Sequence, residues 1–197
     1  MNYVLQPTIR PEDNTVRYIT EPKGSTFTVK AFAAGLFSAF AHNPTIAIPD
    51  LEGGIFLNPD AVEQSSLRLL THSDSLMVID DINEKDREEI TRRMHHEVLE
   101  SDSFPDIVYE CSRVSASKLG DQQYWVALNG ELTLHGVTRS LPVTARAWLD
   151  GDTLRATGEF AVRMSDYEIR PVNAAGGTIK LKDELKLSFN ICARKQE

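Results

Sequence analysis

From Val16 onward the chain alternates apolar and polar positions with a period of two. Phe27, Val29 and Ala31 alternate with Thr26, Thr28 and Lys30. A longer run sets Tyr124, Val126, Leu128, Gly130, Leu132 and Leu134 against Gln123, Trp125, Ala127, Asn129, Glu131 and Thr133. Leu141, Val143, Ala145, Ala147 and Leu149 form the next apolar face, and Leu154, Ala156, Gly158, Phe160, Val162 and Met164 the one after. Leu185, Leu187, Phe189 and Ile191 close the series. Period-two alternation gives strands with one buried and one solvated face. Antiparallel sheets carry that signature, whereas parallel sheets are covered on both faces.

Turn chemistry separates the runs. Asp150-Gly151-Asp152 reads as a tight hairpin, and His135-Gly136, Glu52-Gly53-Gly54 and Gly176-Gly177 read as further turns. Many strands, short turns and a single apolar face predict a closed barrel or a sandwich. One stretch departs from the pattern. Residues 83–99 predict a helix with Asn83 as its cap, Ile90, Met94 and Val98 as its apolar stripe, and Glu88–Arg92 and Glu89–Arg93 as ion pairs. Pro105 prevents its continuation. Such a narrow stripe suits a helix on the barrel's flank or across one end. Residues 1–15 predict a polar N-terminal arm and residues 16–195 one domain.

Composition narrows the partners. Twenty-one basic against 29 acidic residues give a net charge of −8, which disfavours nucleic acid and anionic membrane surfaces. No run approaches the length of a membrane span. The N-terminus lacks a basic and apolar leader pattern, so the expectation is cytoplasmic, or periplasmic if a leader was trimmed away. Cys111 and Cys192 read as two small buried thiols, although one disulfide is arithmetically open.

Candidate chemistry is sparse. His95 and His96 are adjacent on the helix and cannot share a ligand face, and His96-Glu97 lacks the second histidine of a zinc-protease motif. His72 and His135 fall at strand ends, and His42 in a turn between apolar runs. No nucleophile elbow, phosphate loop or paired-cysteine site is present. Arg163-Met164-Ser165-Asp166-Tyr167 clusters charge, hydroxyls and a ring after a strand, with no histidine base placed beside Ser165. Its structural reading has Asp166 pairing with Arg163 or capping a turn. No metal or cofactor is expected. The small inward residues Gly130, Ala145, Ala147, Ala156 and Gly158 either leave a cavity or accommodate large neighbours in a filled barrel. Any cavity would be dry, because no charge interrupts these faces.

Several motifs, in order, resemble the YceI-like family. They are Tyr18–Lys30, Gly35-Leu36-Phe37-Ser38-Ala39-Phe40, Ser101–Ile107, Gly130-Glu131-Leu132-Thr133-Leu134-His135-Gly136-Val137-Thr138 and Arg163–Ile169. The resemblance covers about residues 16–193 and implies a lipocalin-like extended antiparallel β-barrel with one helix in a long connection. It further implies an elongated apolar cavity for a polyisoprenoid or other amphipathic chain, held without catalysis for carriage or storage. Many members of the family are periplasmic. Against that pattern the chain is expected to lack a leader, and it carries Glu168 where glycine is usual and a charged helix.

The expected cavity wall comprises Phe27, Val29, Gly130, Leu132, Leu134, Ala145, Ala156, Gly158, Phe160 and Val162, with Phe37 and Phe40 from the matched segment. His42, Arg163 and Tyr167 are the candidates for its polar end. An enzyme on the same scaffold, using His42 or the Arg163-Asp166-Tyr167 cluster, is the alternative in a different class. A filled barrel serving as an interaction module is the third reading, and a homodimer stays open.

Overall fold

A computed structural model describes residues 15–34, 43–170, 173–174 and 179–196. Four long, consecutive strands make one continuous wall: β8 (Asp106–Gly120), β9 (Gln123–Leu134), β10 (Val137–Asp150) and β11 (Thr153–Arg163). β9, β10 and β11 are the stretches of cleanest alternation. His135 at φ +52° and Gly136 at φ +72° make the β9–β10 turn. Gly151, at φ +56°, opens the β10–β11 turn. Positive φ at the first loop position matches the twist of a hairpin.

The remaining strands are shorter: β1 (Val16–Thr20), β2 (Thr26–Lys30), β3 (Ala33–Ala34), β4 (Thr45–Ala47), β5 (Glu52–Leu57), β6 (Ser66–His72), β7 (Met77–Val78), β12 (Asn173–Ala174), β13 (Ile179–Leu181) and the long β14 (Glu184–Lys195). All pairings are antiparallel. The main sheet runs β1-β5-β6-β8-β9-β10-β11-β14 and closes where β14 pairs with β1. Three of its eight staves are broken. β14 takes β1 near Ala193 and β2 near Phe189, so β1 and β2 are successive halves of one stave. β4 and β5, and likewise β6 and β7, are halves of the next two. A smaller sheet, β12-β13-β3, stands apart from the barrel pairing.

Glu52-Gly53-Gly54, expected to be a turn, lies inside β5. A Cβ on Gly53 would collide with the Arg68 carbonyl oxygen, so the glycine serves a close approach of backbones. Gly176-Gly177 falls outside the described residues.

The helix forms where expected. α1 (Glu84–Arg93) continues through a wider π turn, Met94–Val98. The Asn83 side chain accepts from the Asp86 amide at 3.0 Å. Glu89 pairs with both Arg92 and Arg93, and Arg92 turns also to Glu97; the Glu88–Arg92 pair does not form. Met94 is buried with Leu99, and Ile90 and Val98 pack beside them against Leu132, Leu134 and Val162. The helix therefore lies across one end of the barrel. No helix among the described residues is long and apolar enough to cross a membrane.

Candidate functional site: an apolar tunnel along the barrel axis

The inward faces of the strands do not meet. Phe27, Leu128, Phe160, Leu187 and Phe189 face the axis yet are only half-buried, because they border a hollow. That hollow is a cavity of about 190 Å³ running inward from the helix end. Val98 and Leu99 close it at that end, and a cluster of Phe27, Phe160 and Phe189 forms one side with centroids 5.8 to 6.2 Å apart. A second chamber of about 150 Å³ continues toward the opposite end, bounded by Leu57, Pro59, Val62, Leu149 and Leu154. Ile55, Leu67, Leu128, Ala145 and Ala156 line both chambers and form the waist between them. The alternation left open whether the barrel is filled; the structure shows it hollow.

Among the described residues no charged side chain touches the wall of either chamber. Two hydroxyl groups do in the larger one, those of Thr71 and Tyr109. Tyr109 donates to the Leu141 carbonyl at 3.0 Å, and burial pushes its phenol well above the usual range. Thr71 stands 3.4 Å from the Ser75 hydroxyl. An apolar cavity of about 150 Å³ lined by such residues stays dry and accepts a small hydrocarbon ring.

Of the expected wall residues, Phe27, Val29, Leu132, Leu134, Ala145, Ala156, Phe160 and Val162 do line the tunnel. Gly130 and Gly158 do not leave space, which corrects the expectation drawn from their size. A Cβ on Gly130 would lie 2.5 Å from the Tyr109 ring, and one on Gly158 would lie 2.6 Å from the Phe189 ring and the Thr144 carbonyl. These glycines make room for aromatic neighbours. Phe37, Phe40 and His42 lie outside the described residues.

Arg163 ends β11 and leads into a tight turn, Met164–Tyr167. Arg163 and Tyr167 border a separate cleft on the barrel side and do not line the tunnel. Asp166 is neither paired with Arg163 nor a cap. Instead its carbonyl accepts from Arg139 at 3.1 Å, and Ser165 donates its hydroxyl to Asp183 at 2.6 Å and its amide at 2.8 Å. Those bonds hold the Asp183 carboxyl below its ordinary value. Glu168 follows at φ +59°, a left-handed position where glycine would be free of strain.

The described histidines stay apart from the tunnel. His95 bonds the Leu76 carbonyl at 3.0 Å, His72 pairs with Asp106 at 3.1 Å, and His135 packs on Phe104 at 4.2 Å between centroids. Among the described residues no group of three or more His, Cys, Asp or Glu side chains could hold a metal ion. Cys111 and Cys192 are free, buried thiols on β8 and β14. Burial raises the Cys111 thiol above its ordinary value.

Sequence reasoning missed Ile55, Leu67, Leu69, Ile107 and Tyr109, a whole side of the wall. A signal existed. Leu67, Leu69 and Thr71 alternate, as do Ile107, Tyr109 and Cys111, but the runs are short and Leu70 and Val108 interrupt them.

Solved structures of known proteins share this architecture. BcnA from Burkholderia cenocepacia superposes with a TM-score of 0.65 at 13% identity, covering 88% of this chain and 98% of that one. A polyisoprenoid binding domain from Saccharophagus degradans, implicated in plant cell wall breakdown, gives 0.65 at 12%, covering 91% and 98%. The Campylobacter jejuni YCEI protein gives 0.57 at 15%, covering 80% and 88%. At these identities the likeness shows the fold alone. Among curated proteins no match was found. The model of the YceI-like domain matches residues 9–193, nearly the whole barrel, and the chain belongs to the YceI-like family.

Proposed function

We propose that the protein binds a long apolar or amphipathic chain, such as a polyisoprenoid or fatty chain, along the barrel axis, and carries or stores it without catalysis. The observation that carries this reading is the pair of chambers in series, predominantly apolar and joined at a waist lined by two alanines, Ala145 and Ala156. A rounded ligand would need one wide chamber; an elongated one fits two narrow chambers end to end. The name of the Saccharophagus degradans neighbour supports the same ligand class.

The wall chemistry favours binding over reaction. General acid–base catalysis needs a group whose pKa lies near the working pH. Among the described residues the titratable side chain on the wall of the larger chamber is Tyr109, already engaged by the Leu141 carbonyl and pushed away from neutrality. Native mass spectrometry of protein purified without detergent tests the reading, together with displacement of a fluorescent fatty-acid probe. A co-purifying chain, or saturable displacement by isoprenoid alcohols, is the expected result. A ligand-free protein that never binds the probe would leave the barrel without this role.

A further inference from the structure

We propose that the gap between β10 and β11 holds the polar head of the bound chain, and that the head is an oxyanion, a phosphate or carboxylate. This rests on the chain-binding reading above and places the end of the ligand that the apolar tunnel cannot accommodate.

A fully closed barrel leaves no free strand edges. Among the described residues this one leaves two, facing each other. β10 pairs with β9 from Val137 to Trp148, but with β11 only from Arg146 to Asp150. Beyond Thr157, β11 pairs with β14 alone, from Gly158 to Arg163. Pro142 falls within the unpaired part of β10, where its missing N–H forfeits no bond to β11. The strands thus part toward the helix end and open a cleft in the side of the barrel.

Leu141 and Val162 form the inner wall of that cleft, and the same two side chains line the tunnel. Displacing them joins the dry interior to the cleft over the thickness of one layer of side chains. The cleft is a passage for an amphiphile whose chain lies inside and whose head lies outside.

The edges of the cleft carry donors. Arg139 and Ser140 stand on β10 and Arg163 on β11. Arg139 gives its Nε to the Asp166 carbonyl, which fixes the guanidinium at the rim, and neither arginine joins an ion pair among the described residues. Tyr167 is 2% exposed and borders the cleft, yet its hydroxyl makes no hydrogen bond among the described residues. The phenol oxygen reaches solvent at the cleft, where a ligand oxygen can accept its hydrogen. Asp166 and Glu184 also border the cleft. Glu184 is the register partner of Arg163 on β14, one strand farther from β10. A guanidinium on either side and a phenol beside them match the several acceptor oxygens of a phosphate or carboxylate.

The test compares two probes of equal chain length, dodecyl phosphate and dodecanol, by displacement of a fluorescent fatty-acid probe. The wild type is expected to prefer the phosphate by about tenfold or more. Arg163→Gln and Tyr167→Phe should each reduce the ratio of the two dissociation constants about three- to tenfold. Arg163 is exposed on a strand edge, so its variant reports without disturbing the turn that Arg139 holds. Raising the salt concentration should shrink the ratio in the wild type and leave less to shrink in the arginine variant. Equal affinity for the two probes in the wild type, or a ratio unmoved by both substitutions, would overturn the head site while the tunnel reading stands. Failure of both probes to bind would bring down the tunnel reading, and this inference with it.

Discussion

Ala156→Phe should cut the tunnel in two. Ala156 sits on β11 opposite Ala147 of β10 and Ile191 of β14, and it lines both chambers at their junction. A phenyl ring there projects into the waist instead of into packed atoms. The far chamber, about 150 Å³, compares with an apolar cavity that accepts benzene, so about six carbons of a chain reach it. At about 0.8 kcal/mol for each buried methylene, those carbons contribute roughly 5 kcal/mol gross. Ordering the chain offsets part of that gain, and taking half leaves about 2.5 kcal/mol. That corresponds to a roughly 60-fold weaker dissociation constant.

The assay is a chain-length series, from octanoate to octadecanoate, displacing a fluorescent probe from wild type and variant. Short chains, which fit the chamber nearest the helix, should bind both proteins alike. Wild-type affinity should climb with length, while the variant's should level off once the near chamber is full. Thermal stability is the control. Were the waist already packed, the insertion would cost about 1–3 kcal/mol; in a hollow waist the melting temperature should stay close to wild type. A stable Ala156→Phe protein that binds octadecanoate as tightly as the wild type would refute the axial placement of the chain.

Further substitutions probe the frame around the tunnel. Gly130→Ala and Gly158→Ala should each destabilise by about 1–3 kcal/mol in denaturant unfolding, because the new methyl meets the Tyr109 or Phe189 ring. Glu168→Gly should stabilise by about 1 kcal/mol, a rise of about 2–4 °C in Tm, by relieving φ +59° at a side-chain-bearing residue. Asn83→Ala should cost about 1 kcal/mol through loss of the helix cap, read as faster amide exchange in the first turn. The Asp183 carboxyl is held below its ordinary value of 3.8, so its contribution to stability is complete above that pH and fades as pH falls through the lowered value. Ser165→Ala removes the larger cause, the hydroxyl bond, and leaves the amide bond; the melting temperature of the variant should therefore fall less between pH 5 and pH 2, roughly the window in which a paired carboxylate protonates.

The long strands were legible in the sequence because one physical condition, core on one side and water on the other, holds along their whole length. β9, β10 and β11 each keep it for eleven residues or more, and the expected faces match the buried ones. The helix was legible for a similar reason, since the Asn83 cap and the Ile90, Met94 and Val98 stripe are local features. The broken staves were harder to read. β4 and β7 span three and two residues, too few for a period to emerge. In β5 a glycine pair imitates a turn because the Arg68 backbone presses against Gly53, a contact made across the sheet. Sequence carries propensity and period; it does not carry which neighbour a glycine must admit.

The small residues of the inward faces show how that limit falls on function. Alanine and glycine looked alike along the alternating runs, and both suggested space. In the fold they serve opposite ends. Ala145 and Ala156 stand at the waist, where a short side chain keeps the two chambers joined. Gly130 and Gly158 stand where Tyr109 and Phe189 fold over the sheet, so that a side chain twisting from the next strand fills the place a Cβ would take. The rings are themselves part of the wall. Tyr109 illustrates the coupling: Gly130 admits the ring, and the ring's hydroxyl reaches the Leu141 carbonyl on β10. Leu141 in turn separates the tunnel from the side cleft. A glycine chosen for packing on β9 therefore helps fix the side chain that a ligand must displace to reach the gap between β10 and β11.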